Sequence, residues 1–317
     1  MPPIVYSPRY AIDLGLHVFP TEKYRLVYER LVQNGFVQPE DFVQPEPASW
    51  KELALVHTDD YLTKLRDGTL TEEDVAQLEL PWSREMVEGF RTMVGGTIDA
   101  ACAACHVLRH ATGRGGSRTA PTDAATVSNV AAHLGGGLHH AFPNHGEGFC
   151  PFNDVAVAIR VLQSHGVERA AVVDLDVHHG NGTAFVFESD PRVFTFSMHQ
   201  QHNYPMWKPR SSLDIGLADG AHDATYLREL EAALPRVMAH QPESVFYLAG
   251  ADPYEDDQLG GLRLTKDGLR RRDRVVIESV RAAGLPLVIV LAGGYARRVE
   301  DTVAIHTATI EEATERR

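Results

Sequence analysis

Short apolar runs recur along the second half of the chain, each followed by a polar or glycine-rich stretch. Val127 to Ala132, Ala170 to Val173, Arg192 to Ser197, Ser244 to Leu248 and Leu287 to Leu291 are rich in β-branched residues and lack polar alternation. That pattern predicts strands covered on both faces, as in a parallel sheet. Between them the spacing predicts helices over Val155 to about His165, Ala224 to Ala239, and Thr265, as cap, to about Ala283. The first half holds a short strand within residues 1 to 18 and a helix from Glu22 to about Asn34, with Thr21 as its cap and Gly35 as its stop. Two short helices follow, Trp50 to Val56 and Asp59 to Leu65, and then a long helix capped by Ser83 and running to about His110. Residues 112–125 carry Gly, Ser and Thr without periodicity and read as a mobile surface loop. The alternation of strand and helix points to a single α/β domain over residues 1–317.

Candidate chemistry gathers where those strands end. Ala170-Ala-Val-Val-Asp-Leu-Asp-Val-His-His-Gly-Asn-Gly-Thr183 places Asp174, Asp176 and His178 two residues apart, on one side of an extended chain and at its carboxyl end. Two carboxylates and an imidazole so placed read as a metal site, and in open α/β sheets ligands bind at that rim. The same rim receives His139 and His140 after Gly135-Gly-Gly, Asp252 after the strand at 244, and Tyr295 after Ala292-Gly-Gly. Adjacent imidazoles over one reacting centre can divide base and acid work. The triple glycine is no phosphate loop, because no Lys-Ser or Lys-Thr pair follows it.

Composition narrows the class of protein. With 44% hydrophobic and 23% charged residues the chain is an ordinary globular one, and a formal charge of -13 disfavours direct nucleic-acid binding while favouring cationic ligands. Neither a signal peptide nor an apolar run of membrane-spanning length is expected. Cys102, Cys105 and Cys150 are too few for a disulfide framework, so a reducing cytoplasm is expected. Cys102-Ala-Ala-Cys105-His106 matches a haem-attachment spacing, but its alanine-rich flanks read as a buried helix face.

Taken together, Gly135-Gly-Gly-Leu-His-His-Ala141, Gly148-Phe-Cys-Pro-Phe-Asn-Asp154, the stretch at 174–183, Gly250-Ala-Asp-Pro-Tyr254 and Ala292-Gly-Gly-Tyr295 resemble, in order, the signature blocks of the zinc-dependent histone deacetylase superfamily. His17-Val-Phe-Pro-Thr-Glu-Lys-Tyr24, Leu80-Pro-Trp-Ser83 and Ser197-Met-His-Gln-Gln-His-Asn-Tyr-Pro205 resemble its class IV branch and bacterial relatives. The resemblance implies the arginase/deacetylase fold, one domain around a mainly parallel eight-stranded sheet flanked by helices. It also implies an amidohydrolase that removes acetyl or longer acyl groups from lysine side chains of proteins or peptides. Asp176, His178 and Asp252 would hold Zn²⁺, with Fe²⁺ or Co²⁺ as substitutes. His139 and His140 would share acid and base work, with Asp174 behind the first and Asn181, where most branches have Asp, behind the second. Tyr295 would donate to the oxyanion, and Gly148, Phe149 and Cys150 would line the acyl-lysine channel. A structural K⁺ would use Asp174, Asp176, His178, Ser197 and Met198. Small acylated amines such as acetylpolyamines are the alternative substrate, and an inactive metal-binding module is a further one. An arginase-like enzyme would need a second metal and an Asp-x-Asp where Asp252-Pro-Tyr254 stands. Substrate, acyl length and oligomeric state are left open.

Overall fold

The computed structural model describes residues 1–109 and 128–314. Eight parallel strands form one sheet: β1 (Ile4–Val5), β2 (Phe42–Val43), β3 (Val130–His133), β4 (Ala170–Asp174), β5 (Val193–Gln200), β6 (Leu213–Leu217), β7 (Ser244–Leu248) and β8 (Leu287–Val290). Every residue of β3, β4, β7 and β8 is buried, which is why those segments are apolar without alternation. At the edge, β6 alternates buried and exposed positions, with Leu213 and Leu217 inward and Asp214 and Gly216 outward. That weak, glycine-containing pattern was not predicted as a strand.

The α-helices are α1 (Lys23–Gln33), α2 (Trp50–Leu53), α3 (Asp59–Asp67), α4 (Glu72–Leu78), α5 (Arg84–Ala104), α6 (Asp154–Ser164), α7 (Asn181–Phe187), α8 (Asp223–Ala239), α9 (Lys266–Ala282) and α10 (Val299–Thr314). One set packs around α5 and α6, and another joins α1, α8, α9 and α10, so the sheet is the middle of three layers. Predicted caps hold at Ser83, which accepts from the Met86 amide at 2.9 Å, and at Thr265, which accepts from Gly268 at 2.9 Å. Thr21 does not cap α1: its hydroxyl donates to the Ile12 carbonyl, and Glu22 takes the cap position without a side-chain bond. The helix expected to reach His110 stops at Ala104, because His106 takes a left-handed φ of 56°. Cys102 lies buried on that helix, as its alanine-rich flanks suggested. The loop predicted at 112–125 lies outside the described residues.

The order of strands decides where the chemistry lands. Across the sheet it is β2-β1-β3-β8-β7-β4-β5-β6. The chain leaves β3, skips two places to β4, and later fills the gap with β7 and β8, so the β3–α6–β4 unit joins strands that are not neighbours. Register then aligns His133, Val290, Leu248, Asp174 and Ser197 as one rung. The loops that follow β3, β8, β7 and β4 therefore leave the sheet side by side, at the carboxyl rim where α/β sheets bind ligands.

Candidate active site

Three side chains converge directly beyond that rung. Asp176, His178 and Asp252 offer ligand atoms within 4.8 Å of one another, and all three residues are buried. Each carboxylate is fixed by backbone amides: Gly293 donates to Asp176 Oδ2 at 2.9 Å, and Val177 to Asp252 Oδ1 at 2.8 Å. His178 Nδ1 lies 3.0 Å from Asp176 Oδ1 and 3.5 Å from Asp252 Oδ2. That second Asp252 oxygen is buried and has no hydrogen-bond partner. Burial and then the Asp176 charge push the Asp252 carboxyl up to about 7. The His178 imidazole, although burial works against its charge, is pushed up to about 10 by the two carboxylates around it. Two buried carboxylates, one with an unsatisfied oxygen, and one imidazole make a donor set that suits a divalent cation. The residues present therefore fit the metal that the motifs imply.

Close packing excludes side chains from this cluster. A Cβ on Gly293 would lie 2.0 Å from Asp252 Oδ2 and 2.5 Å from Asp176 Oδ2. A second group of potential ligands among the described residues, His179, His199 and Asp214, lies towards the sheet edge. Its carboxylate already accepts from His179 Nε2 at 3.1 Å and from the Ser211 amide at 2.9 Å.

The two adjacent histidines stand beside the cluster, joined at 3.1 Å through their Nε2 atoms. His139 Nδ1 lies 2.7 Å from Asp174 Oδ2, and His140 Nδ1 lies 2.7 Å from Asn181 Oδ1. Equal geometry with unequal charge separates them. Burial opposes the imidazolium of both, yet Asp174 and Asp176 carry His139 up to about 9. His140 is driven well below its ordinary value by burial and by the neighbouring His139 and His178. The carboxylate partner thus favours the charged form of His139, and the lack of one favours the neutral form of His140.

Tyr295 completes the group. Its ring lies 6.5 Å from that of His178, and its amide donates to Asp257 Oδ2 at 2.7 Å. Burial, then the charges of Asp176 and Asp252, raise the phenol well above its ordinary value, so it stays a donor. Gly148, Phe149 and Cys150 form one wall of the pocket that reaches Asp176 and His178. Phe149 holds φ at 66°, which costs a non-glycine residue of order 1 to 3 kcal/mol and is a mark of functional loops. Ser197 and Met198 are buried in β5, which extends to Gln200 where a loop was expected after Ser197.

The model of the histone deacetylase domain matches residues 17–310. The chain belongs to the histone deacetylase family. It is 42% identical over 308 residues to an uncharacterized protein of Picosynechococcus, covering 96% of each chain. It is 31% identical to histone deacetylase 2 of Arabidopsis thaliana, over 95% of this chain and 77% of that one. It is also 31% identical to the acetoin utilization protein AcuC of Bacillus subtilis, over 82% and 68% of the two chains. The crystal structure of a histone deacetylase homologue from Aquifex aeolicus shares the fold, with a TM-score of 0.79, 22% identity, and coverage of 99% and 84%. Fold and family thus agree with the motif reading.

Several supporting residues escaped the motif reading of this deacetylase domain. Asp154 accepts from the Gly137 and Leu138 amides at 3.0 and 2.7 Å and pins the glycine-rich turn that carries the histidines. Asp257 accepts from the amides of Tyr295, Leu259 and Gly260 and holds the tyrosine loop. Lys23, fully buried, donates to the Ala292 carbonyl at 2.8 Å with its ammonium 5.4 Å from the Tyr295 ring centre. Burial lowers it to about 8. Asp154 and Asp257 lie within or beside the signature motifs, but nothing local tells an acid that binds backbone from one that faces solvent.

Proposed function

We propose that this deacetylase-family hydrolase removes acyl groups from lysine side chains of proteins or peptides, using a single zinc ion held by Asp176, His178 and Asp252. The observation that carries this reading is the histidine pair, one partner backed by a carboxylate and the other by an amide, standing against a buried two-carboxylate, one-imidazole cluster. Bound there, the metal would supply a Lewis acid for the amide carbonyl. His140 Nε2 takes a proton from the attacking water, and His139, protonated and held by Asp174, returns one to the departing amine. Tyr295 gives its hydroxyl proton as a hydrogen bond to the oxygen on which negative charge develops. The products are a carboxylate and a free lysine amine. Gly148, Phe149 and Cys150 would flank the aliphatic part of the substrate, and burial keeps the Cys150 thiol protonated and inert.

A potassium ion belongs to the same reading, held by carbonyls of Asp174, Asp176, His178 and Met198 and by the Ser197 hydroxyl; Asp174 and Ser197 are register partners across β4 and β5. A cytoplasmic setting is supported by three free cysteines. Among the described residues no helix is long and apolar enough to cross a membrane.

The test compares turnover of acetyl-lysine peptide, a long-chain acyl-lysine peptide and an acetylated polyamine by one zinc-loaded preparation, with His140→Ala as control. Peptide turnover abolished in the control supports the proposal. Turnover of the polyamine alone would move the substrate to small amines, and no turnover of any of the three would remove the hydrolase reading.

A further inference from the structure

Glu147 closes a chain of hydrogen bonds that begins at the two histidines. Asn181 Nδ2 donates to its Oε1 at 2.7 Å, and the Tyr204 hydroxyl donates to the same oxygen at 3.1 Å. Gln77 and His145 approach the other oxygen, at 3.4 and 3.5 Å. Although burial opposes its charge, these donors hold the Glu147 carboxyl below the ordinary range, so it is an acceptor only. The orientation of Asn181 follows. Its amino group must face Glu147, which leaves its carbonyl oxygen facing His140 Nδ1 at 2.7 Å. An amide oxygen also accepts only, so Nδ1 carries the hydrogen of neutral His140 and Nε2 is bare. His139 must then donate through Nε2, at 3.1 Å, and through Nδ1 to Asp174, at 2.7 Å. Carboxylates at both ends, Glu147 and Asp174, thereby dictate the direction of every bond between them.

We propose that Glu147 is a positioning residue that keeps the Asn181 amide turned with its oxygen towards His140, and so keeps Nε2 of His140 without a hydrogen, the state in which it can exchange its His139 partner for water and act as the base. The inference rests on the role given above to His140. Asn181 needs such a neighbour because an amide has two unlike ends. Turned over, it would offer an amino group to Nδ1 and force the hydrogen onto Nε2, so that His140 could no longer take a proton there. A carboxylate at position 181 has no wrong orientation, and Glu147 beside it would only repel.

That contrast sets the experiment, a double-mutant cycle of Glu147→Gln and Asn181→Asp on the zinc-loaded enzyme with an acetyl-lysine peptide. Glutamine keeps the shape but can pair with Asn181 either way round. Glu147→Gln should lower kcat by at least about tenfold, part of the roughly 10²–10⁴ that a positioned base contributes, with KM nearly unchanged. In the Asn181→Asp background the same change should cost nothing or restore activity. A second readout needs no turnover: ¹⁵N spectra of the imidazoles in metal-free protein, with His140 assigned by its loss in His140→Ala, should show one tautomer in the parent and a mixture in Glu147→Gln. An equal kcat loss in both backgrounds, a loss confined to KM, or an unchanged tautomer would each overturn the proposal, the KM result pointing to contact with the substrate instead. Full activity of His140→Ala would instead overturn the assignment of the base.

Discussion

Adding one methyl group at Gly293 should weaken metal binding at the proposed site while sparing the fold. The new Cβ of Gly293→Ala would sit 2.0 Å from Asp252 Oδ2, and the gap must widen by about 1 Å to reach the 3.0 Å below which real Cβ contacts essentially do not occur. The backbone cannot retreat to provide it. Gly293 donates to Asp176 Oδ2 at 2.9 Å and accepts from the Ala251 amide at 2.9 Å, so it is tied to both ligand loops. Asp252 must therefore swing, or Asp176 must lose its amide donor. Metal sites tolerate ligand displacements of only about 0.2 Å, so a shift several times larger should weaken zinc binding by well over the roughly 10- to 100-fold typical of losing a supporting bond. Gly293 does not hold a left-handed φ, so alanine brings no backbone strain of its own. Zinc titration of the metal-free protein by calorimetry reads the affinity, and thermal unfolding of the metal-free form reads the fold. Gly284→Ala, where the added carbon meets nothing within 4 Å, is the control for handling, although its φ of 68° will lower stability slightly. Zinc affinity within threefold of the parent in Gly293→Ala would refute the assignment of Asp176 and Asp252 as joint ligands.

Tyr295→Phe keeps the ring and removes the donor, so kcat should fall by roughly 10²–10³ with zinc content unchanged; full activity would mean that another group faces the oxyanion. Stripping the metal should lower the melting temperature by an amount that shrinks as pH falls: the folded-state pKa of Asp252 is raised to about 7, so its uncompensated charge costs stability above that pH and is relieved below it. A metal effect on melting that is the same at pH 6 and pH 8.5 would contradict this. Arg272, fully buried, donates to Asp273 Oδ1 at 2.7 and 2.9 Å and to the Gly250 carbonyl at 2.6 Å. Arg272→Leu should thus destabilise by about 3–5 kcal/mol in chemical denaturation, through the stranded Asp273 charge. Arg109 grips Glu52 with two bonds of 2.8 and 3.0 Å. Burial opposes the Glu52 charge, but Arg109 outweighs it and lowers the carboxyl below 4.5, so the stabilisation is present above that pH and is lost as pH falls through the folded value. Arg109→Gln should accordingly lower the melting temperature more at pH 7 than at pH 4.

Much of the centre of this molecule was legible along the chain, because the information there is local. β4, β7 and β8 announce themselves as unbroken apolar runs since both faces of a central parallel strand are covered, and the residues after them stand at the rim for the same geometric reason. Ser83 and Thr265 were legible as caps because a hydroxyl satisfies an amide three residues away. Elements whose environment is not local were missed. α10 buries Thr302, His306, Thr307, Thr309 and Glu312, so it shows no polar face and no amphipathic stripe. α7 begins at Asn181 inside a glycine-flanked stretch that reads as a turn.

Chain order also says nothing about strand order. That β7 and β8 fill the gap between β3 and β4, and so carry Asp252 and Tyr295 between the histidine pair and Asp176 and His178, follows from how the crossover helices pack on the sheet. The work of Glu147, Asp257 and Lys23 was hidden for a related reason. Each serves a group far away in sequence, 34 residues for Glu147 and Asn181, 38 for Asp257 and Tyr295, and 269 for Lys23 and Ala292. A charged residue in isolation reads as solvated; only the folded chain, by removing water and supplying an amide, a carbonyl or an orphaned carboxylate as partner, decides which charges are buried and what they hold in place.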